Sequence, residues 1–153
     1  MTLLARRGID EVLADARRRL FRLTPPEALA AQRGGAVLVD IRPERFRDHE
    51  GSVPGALIAE RNVLEWRFDP SSDARLEIAS YDLTVVVVRN EGYTSSLAAA
   101  ALLDLGISHA TDLIGGYRAW RAAGRPKVPG ASRNSEVREI AVDVPVGRRW
   151  QAS

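Results

Sequence analysis

The sequence predicts an α/β domain with a central, mostly parallel, five-stranded sheet covered by helices on both faces. Two runs, at residues 36–41 and 83–88, are almost continuously apolar and lack the alternation of a half-exposed strand, which is typical of strands buried on both faces. Segments with helical patterns separate these runs from three shorter strand candidates at residues 21–23, 56–59 and 110–113. Strands that alternate with helices favour parallel pairing, because each return along the sheet needs a crossover.

The first half of the chain carries clear helix signals. Apolar residues at helical spacing, with acidic residues early and arginines late, predict an amphipathic helix over about residues 9–20. Thr24, two prolines and Glu27 form an N-cap and an acidic first turn, so a second helix begins there and ends at Gly34-Gly35. Two shorter helices are predicted at residues 43–49 and 63–68.

The second half is organised around one polar loop, which lies between the apolar run 83–88 and an alanine-rich helix that begins near Ser95 and is closed by Gly106. A last helix runs through Trp120. From residue 125 the composition shifts to Pro, Gly, Ser and charge, with one β-like patch at 137–144. The chain is therefore divided into an N-terminal helix (1–20), a main domain (21–124) and a tail (125–153) that is partly disordered or packed along the domain.

Composition indicates an ordinary soluble globular protein. The chain has 153 residues, 45% of them hydrophobic and 27% charged, and its formal net charge is only +2. This length accommodates one domain and not two comfortable ones. No apolar run approaches the roughly 20 residues that span a bilayer, and the N-terminus lacks the order of a secretion signal. We therefore expect a cytoplasmic protein that does not bind membranes.

Several function classes are disfavoured by what the sequence contains. There is no cysteine, which excludes disulfides, thiolate metal sites and thiol nucleophiles. The two histidines, His49 and His109, have no spacing that pairs them, so surface positions are expected for both and no metal or cofactor is predicted. The basic runs at residues 17–19 and 148–149 lack interleaved aromatics, so they are interpreted as solvated faces and not as a nucleic-acid site.

The chemistry is expected where the buried strands end, since open parallel sheets bind ligands beyond the carboxyl ends of their strands. Two segments leave those ends: Asp40-Ile41-Arg42 and the loop at 89–94. A buried strand, a short loop with a central glycine and a serine-led helix bring backbone N–H groups together at the positive end of a helix dipole. Such a loop can hold an anion or an anionic nucleophile. On physical grounds alone, an ordinary βα turn explains the same residues equally well.

Five ordered motifs decide between these alternatives. They are Leu38-Val39-Asp40-Ile41-Arg42-Pro43, Gly51-Ser52-Val53-Pro54-Gly55-Ala56, the run 85–88, Gly92-Tyr93-Thr94-Ser95-Ser96, and Asp112 to Trp120 with its Gly115-Gly116 turn. In this order and spacing, the chain over about residues 20–124 resembles the rhodanese homology domain, the family of single-domain sulfurtransferases. The stretch 60–67 and the form of the loop resemble an actinobacterial-type branch of that family.

The resemblance implies a thiosulfate or sulfane sulfurtransferase in which a loop cysteine becomes a persulfide and passes sulfur to an acceptor. Counted back from Gly92, the position of that cysteine is Arg89. Arginine stays protonated in proteins and is not a nucleophile at neutral pH. Ser52 and Thr94 also depart from the family pattern. The family usually has histidine at the position of Ser52, and many members have a substrate-binding arginine at the position of Thr94. Persulfide transfer should therefore be absent from this chain.

The candidate site residues fall into two groups. The anion-binding loop comprises Arg89, Asn90, Glu91, Gly92, Tyr93, Thr94 and Ser95. The pocket-lining candidates are Asp40, Arg42, Arg61, Trp66 and Arg67, although a buried Asp40–Arg42 ion pair and simple core packing of Trp66 remain open. A guanidinium aimed at N–H groups meets only donors. We therefore expect Arg89 to turn out of the loop and pair with Glu91, Glu60 or Glu65, or to share a bound anion with the loop.

Three functional hypotheses follow. The first is a catalytically silent rhodanese-like module whose loop binds a small anion such as thiosulfate, sulfate or phosphate. Its role would be in binding or regulation, and an unknown protein could be its partner. The second is a sulfurtransferase, with a thiol or cyanide acceptor, whose cysteine was substituted in this version only. The third, a phosphatase-like activity, needs a cysteine and a longer loop, and the sequence offers neither.

Overall fold

A computed structural model describes residues 6–129 and the backbone of residues 138–139. Its helices are α1 (Ile9–Arg18), α2 (Pro25–Arg33), α3 (Glu44–Glu50), α4 (Leu64–Phe68), α5 (Thr94–Asp104) and α6 (Gly116–Ala122), with a 3-10 turn at Arg61–Val63 before α4. Its strands are β1 (Val37–Asp40), β2 (Leu57–Ile58), β3 (Val85–Val88), β4 (Ala110–Asp112) and β5 (Arg138–Glu139). No helix in the described ranges is long and apolar enough to cross a membrane.

The strands form one sheet in the order β4-β3-β1-β2-β5, and all four neighbouring pairs are parallel. Four of these strands lie between residues 37 and 112. The fifth is the two-residue β5, which pairs with β2. The predicted parallel α/β architecture is confirmed. β5 falls within the β-like patch predicted at 137–144, and the rest of that patch lies outside the described residues.

The strand predicted at residues 21–23 is wrong, since only Leu23 pairs, through an isolated parallel bridge to Leu113. The carbonyl of Phe21 instead accepts the Thr111 hydroxyl at 2.9 Å. The Arg22 side chain turns toward Asp112. The segment is thus held at the sheet edge by the backbone hydrogen bonds of Leu23 with Asp112 and Ile114 and by these two side chains. It adds one residue to the ladder where a strand was expected.

Both faces of the sheet are buried, as the almost continuous apolar runs predict. All four residues of β3 have no exposed surface. Val85 and Val87 pack into a cluster with Leu64, Phe68 and Leu102 from α4 and α5. On the other face, Val86 and Val88 pack with residues of α2 and α6, which are Ala28, Leu29, Tyr117 and Trp120. This burial fixes the end of β3, and with it the start of the loop that follows.

Sequence-predicted caps are also present. Thr24 and Glu27 form a reciprocal capping box at the start of α2, in which the Thr24 hydroxyl accepts the Glu27 N–H and the Glu27 carboxylate accepts the Thr24 N–H. The helix ends at Arg33, and Gly34 is its C-cap. Beyond α6, the Trp120 indole N–H donates to the Pro126 carbonyl, and Ser52 and Val128 form an antiparallel bridge. Residues 126–128 therefore lie along the domain; residues 148–149 are outside the described part.

Candidate functional site

The loop between β3 and α5 lies at the carboxyl ends of the two central strands. β1 and β3 are neighbours in register, with Asp40 opposite Val88, so the residues after each strand emerge side by side. Asn90 and Gly92 are buried, whereas Glu91 and Tyr93 are exposed. Gly92 has a φ of +84°, and a Cβ there would lie 2.8 Å from the Gly115 nitrogen. The loop therefore needs glycine at this position for both conformation and space.

The carbonyl groups of the loop are held by the turn that opens α6. The N–H of Tyr117 donates to the Arg89 carbonyl at 2.7 Å, and the N–H of Arg118 donates to the Asn90 carbonyl at 3.1 Å. Gly116 makes this approach possible, because a Cβ there would lie 2.2 Å from the Arg89 carbonyl oxygen. The Gly115-Gly116 turn thus positions the loop through the backbone alone.

The backbone N–H groups of the loop point the other way. In a trans peptide the C=O and N–H point in opposite directions, so carbonyls turned toward α6 direct the N–H groups of Asn90 and Glu91 away from it. No N–H from Asn90 to Ser95 donates to an atom of the described residues. This part of the loop, with the start of α5, therefore presents several donors at the positive end of a helix dipole.

The Arg89 side chain is half-buried and points toward α3. Its guanidinium carbon lies 5.9 Å from the centre of the Phe46 ring. The expected ion pair with a glutamate is not formed within the described residues. Glu91 pairs with Arg118 at 3.3 Å and Glu65 pairs with Arg61 at 2.7 Å, and Glu60 is exposed.

Three of the five pocket-lining candidates are buried inside the domain. Asp40 and Arg42 form an ion pair at 2.7 Å, and each is only 1% exposed. Arg67 is also 1% exposed and donates to the Ala74 carbonyl at 2.7 Å. Each of the three side chains has a partner within the core. The suggestion that they line a pocket stays a prediction. Arg61 and Trp66 do reach the surface, Trp66 with 45% exposure.

The Asp40–Arg42 pair stabilises the floor beneath the loop. The Arg42 guanidinium also donates to the Gly51 carbonyl at 2.7 Å, lies within 3.5 Å of the Asn90 side-chain oxygen, and stacks 4.2 Å from the centre of the Tyr117 ring. These contacts join the ends of β1, β3 and the α6 turn. The geometry of Asp40 and Arg42 agrees with the alternative interpretation, in which they form a buried ion pair with a structural role.

A second buried carboxylate was not singled out from the sequence. Asp112, at the end of β4, has no exposed surface and accepts from Arg22 at 2.8 Å. It also accepts the hydroxyls of Ser95 and Ser96 at 2.8 and 2.7 Å. The signal that could have found it is the one that identified Asp40, a carboxylate that ends a buried strand.

Two arginines from the N-terminal part of the chain contact the loop, which the sequence did not predict. Arg17 was expected on a solvated face, yet it donates to the Gly92 carbonyl at 2.7 Å and to the Ser96 hydroxyl at 3.1 Å. Arg22 donates to the same carbonyl at 3.0 Å. Arg17 and Tyr93 also line an open depression of about 590 Å³ on α1. His49 and His109 are exposed, as predicted.

Open parallel α/β domains form a class in which ligands bind at the carboxyl ends of the strands, and the polar loop of this domain lies at that edge. Residues 24–123 match the family model of the rhodanese-like domain. The chain belongs to the rhodanese-like domain family.

The chain is similar in sequence to thiosulfate sulfurtransferases of two bacteria. The chain is 32% identical over 103 residues to thiosulfate sulfurtransferase GlpE of Pseudomonas entomophila (strain L48), an alignment that covers 66% of this chain and 84% of that protein. It is 33% identical over 101 residues to the GlpE protein of Stutzerimonas stutzeri (strain A1501), covering 65% and 84%. These similarities place the chain in the rhodanese-like sulfurtransferase family; the actinobacterial-type branch stays a prediction.

Solved structures agree on the fold. A protein of unknown function from Rhodopseudomonas palustris CGA009, described as a possible tyrosine phosphatase, is 34% identical, covers 83% of this chain and 98% of its own, and superposes with a TM-score of 0.73. The polysulfide-sulfur transferase homodimer from Wolinella succinogenes gives a TM-score of 0.65 at 20% identity, covering 78% of this chain and 86% of its own. The second likeness concerns the fold alone.

Proposed function

We propose that this chain is a rhodanese-like module that does not carry out persulfide transfer and uses the 89–95 loop to bind a small anion. The observation that carries the proposal is the absence of any cysteine from the 153 residues, with Arg89 at the nucleophile position that the family resemblance implies. Without a thiolate no persulfide can form, because the arginine side chain is a protonated cation at neutral pH.

The loop geometry supports anion binding. The loop carbonyls are occupied on the α6 side, and the N–H groups of Asn90 to Ser95 have no acceptor among the described residues. Hydrogen bonds from such donors to an anion are charge-assisted and roughly twice as strong as neutral ones. A tetrahedral oxyanion such as thiosulfate, sulfate or phosphate fits this arrangement, since its several oxygens can accept from several N–H groups.

Arg89 adds positive charge beside the loop. Its half-buried guanidinium has no hydrogen bond or ion pair within the described residues, apart from its approach to the Phe46 ring. An arginine in this state can turn to meet an anion seated on the loop, with two donors for two oxygens. We therefore assign Arg89 a binding role in place of the nucleophilic one. A protein partner that presents such an anion, and a cytoplasmic location, belong to the same proposal.

The alternative is a sulfurtransferase whose cysteine was substituted in this version only. It is favoured by the intact scaffold around the loop, which includes the buried Asp40–Arg42 and Arg22–Asp112 pairs, and by the sulfurtransferase names of the relatives. The two hypotheses differ in one respect, which is whether a thiol at position 89 restores transfer from thiosulfate to cyanide.

The experiment is a thiosulfate:cyanide assay of the chain and of its Arg89→Cys and Arg89→Ser variants. Arg89→Ser is the matched control, because it removes the same bulk and charge without supplying a thiol. We expect no activity in the chain and none in either variant if the module has a dedicated binding role. Activity in the unmodified chain would overturn the proposal, and activity in Arg89→Cys alone would establish the alternative.

Anion binding is tested separately by titrating sulfate, phosphate and thiosulfate while recording amide NMR shifts. We expect the largest changes at the amides of residues 90–95 and weaker binding in Arg89→Gln. Binding should also weaken with added sodium chloride, since exposed charges are screened over about 8–10 Å at ordinary salt. Shifts confined to other surfaces would contradict the assignment of the loop as the anion site.

A further inference from the structure

Two arginines from the N-terminal part of the chain bind one carbonyl of the loop. Arg17 on α1 and Arg22 in the segment after it donate to the Gly92 carbonyl at 2.7 and 3.0 Å. Their positions are separated from Gly92 by 75 and 70 residues in sequence. The match to the family model begins at residue 24, so both arginines lie outside it.

Each arginine is itself fixed by a second contact. The Arg22 guanidinium makes two bonds to the buried Asp112 carboxylate, at 2.8 and 3.1 Å. Arg17 donates to the Ser96 hydroxyl at 3.1 Å, and Ser96 in turn donates to Asp112 at 2.7 Å. The two cations, one carboxylate and one serine therefore form a connected network, which makes the Gly92 carbonyl a fixed point on one side of the loop.

The consequence reaches the opposite side of the same peptide unit. The Gly92 C=O and the Tyr93 N–H belong to one trans peptide and point in opposite directions. Holding the carbonyl toward Arg17 and Arg22 therefore fixes the direction of the Tyr93 N–H, which points away from them. Two cations on the carbonyl also polarise the peptide, which strengthens its N–H as a donor.

We propose that the N-terminal segment positions the anion-binding loop, with Arg17 and Arg22 as positioning residues that fix the Gly92–Tyr93 peptide and raise the affinity of the loop for an oxyanion. The affinity part rests on the proposed function; the positioning part does not. The inference extends the site beyond the family domain to α1, whose arginines are not expected to touch the anion.

The test compares Arg17→Gln with Arg19→Gln. Arg19 is the matched control, since it is the C-cap of α1 and pairs with Asp104 at 2.6 Å. Asp104 is the last residue of α5, whereas the loop precedes the first. Both changes remove one charge and one link between the N-terminal segment and α5. Two quantities are measured for each: the amide order parameters of residues 90–95 without anion, and the dissociation constant of inorganic sulfate.

We expect Arg17→Gln to lower the order parameters at Gly92 and Tyr93 toward the flexible range and to weaken sulfate binding about tenfold, since hydrogen bonds to charged groups are the strong ones. Arg19→Gln should change neither. Arg17→Lys should recover part of the affinity, because it restores the positive charge and one donor; a purely packing role for Arg17 would give no such recovery.

The possible results test the positioning role and the effect on sulfate affinity separately. Unchanged loop order in Arg17→Gln overturns the positioning role, whether or not sulfate binds. A mobile loop with unchanged sulfate affinity overturns the link between positioning and binding. If no version of the protein binds sulfate while Arg17→Gln loosens the loop, the anion-binding function fails and the positioning role stands. Equal effects of Arg17→Gln and Arg19→Gln would show that general attachment of α1, and not the Gly92 contact, matters.

Discussion

Replacing Gly116 by alanine should damage the loop through the backbone. Gly116 has a φ of +64°, and an added Cβ would lie 2.2 Å from the Arg89 carbonyl oxygen and 2.5 Å from the Asn90 carbonyl carbon. Both atoms belong to the main chain, so no side-chain rotation relieves the overlap. Gly124 offers a matched control, because its φ is +71° and a Cβ there meets nothing within 4 Å.

The expected magnitudes follow from this difference. A left-handed backbone costs a residue with a Cβ about 1–2 kcal/mol, and both variants carry that cost. In Gly116→Ala the loop must also move away from α6. This weakens the Tyr117 N–H bond to Arg89 and the Arg118 N–H bond to Asn90. We therefore expect Gly116→Ala to lower the free energy of unfolding by about 2–4 kcal/mol more than Gly124→Ala does.

Urea unfolding followed by circular dichroism measures both free energies, and amide NMR spectra show where the change falls. Gly116→Ala should shift the amides of residues 89–92 and 117–118, whereas Gly124→Ala should leave them in place. Equal destabilisation by the two substitutions, to within about 0.5 kcal/mol, would refute the steric argument, since only the shared backbone cost would then remain.

Two further predictions concern ionisable groups. Tyr117 is fully buried and its hydroxyl has no partner among the described residues, so Tyr117→Phe should leave the free energy of unfolding unchanged or raise it by about 1 kcal/mol at pH 7. Burial raises the pKa of Tyr117 above its ordinary 10.0, with Arg42 and Arg121 opposing the change. Stability from the neutral phenol is therefore complete below pH 10 and lost as pH rises through the higher folded value, so urea unfolding above pH 10 should show a steeper loss in the parent chain than in Tyr117→Phe. The backbone N–H and the hydroxyl of Thr24 lower the pKa of Glu27 below its ordinary 4.5. Thr24→Ala should move that pKa partly back upward in an NMR titration, because the N–H remains, and the destabilisation it causes should shrink as pH falls through the folded pKa of Glu27; an unchanged pKa would exclude the hydroxyl as a contributor.

The fold was predictable because its signals are local. The run 83–88 is apolar except at Thr84, and the structure buries all of β3 between two layers of helices. Thr24 and Glu27 are three residues apart, so their capping box can be found in the sequence alone. The strand predicted at 21–23 was wrong because the contacts of this segment depend on Thr111 and Asp112, which lie 90 residues away from Phe21 and Arg22.

The site was predictable only in part, for the same reason. The loop and the Asp40 strand end have a local pattern. Arg17 does not, since an arginine in the last turn of an amphipathic helix fits both a solvated face and a contact with a distant carbonyl. Arg67 illustrates a related limit: its charge can be read from the sequence, but the hydrogen bond from its Nη1 to a carbonyl in the core cannot. Charge in the sequence does not specify which partner neutralises it.

The contacts around Arg89 explain how one chain can belong plainly to the family without a cysteine in its loop. The backbone carbonyls of Arg89 and Asn90 are held by α6, the Gly92 carbonyl by Arg17 and Arg22, and none of these contacts involves the side chain at position 89. The loop therefore keeps its position whichever residue stands there. Family membership is determined by the residues that shape the backbone, and nucleophilic activity by one side chain. It follows that Arg89→Cys should leave the conformation of the loop nearly unchanged, so comparing the amide spectra of Arg89→Cys and the parent chain tests this independence directly; large shifts at residues 117–118 would contradict it.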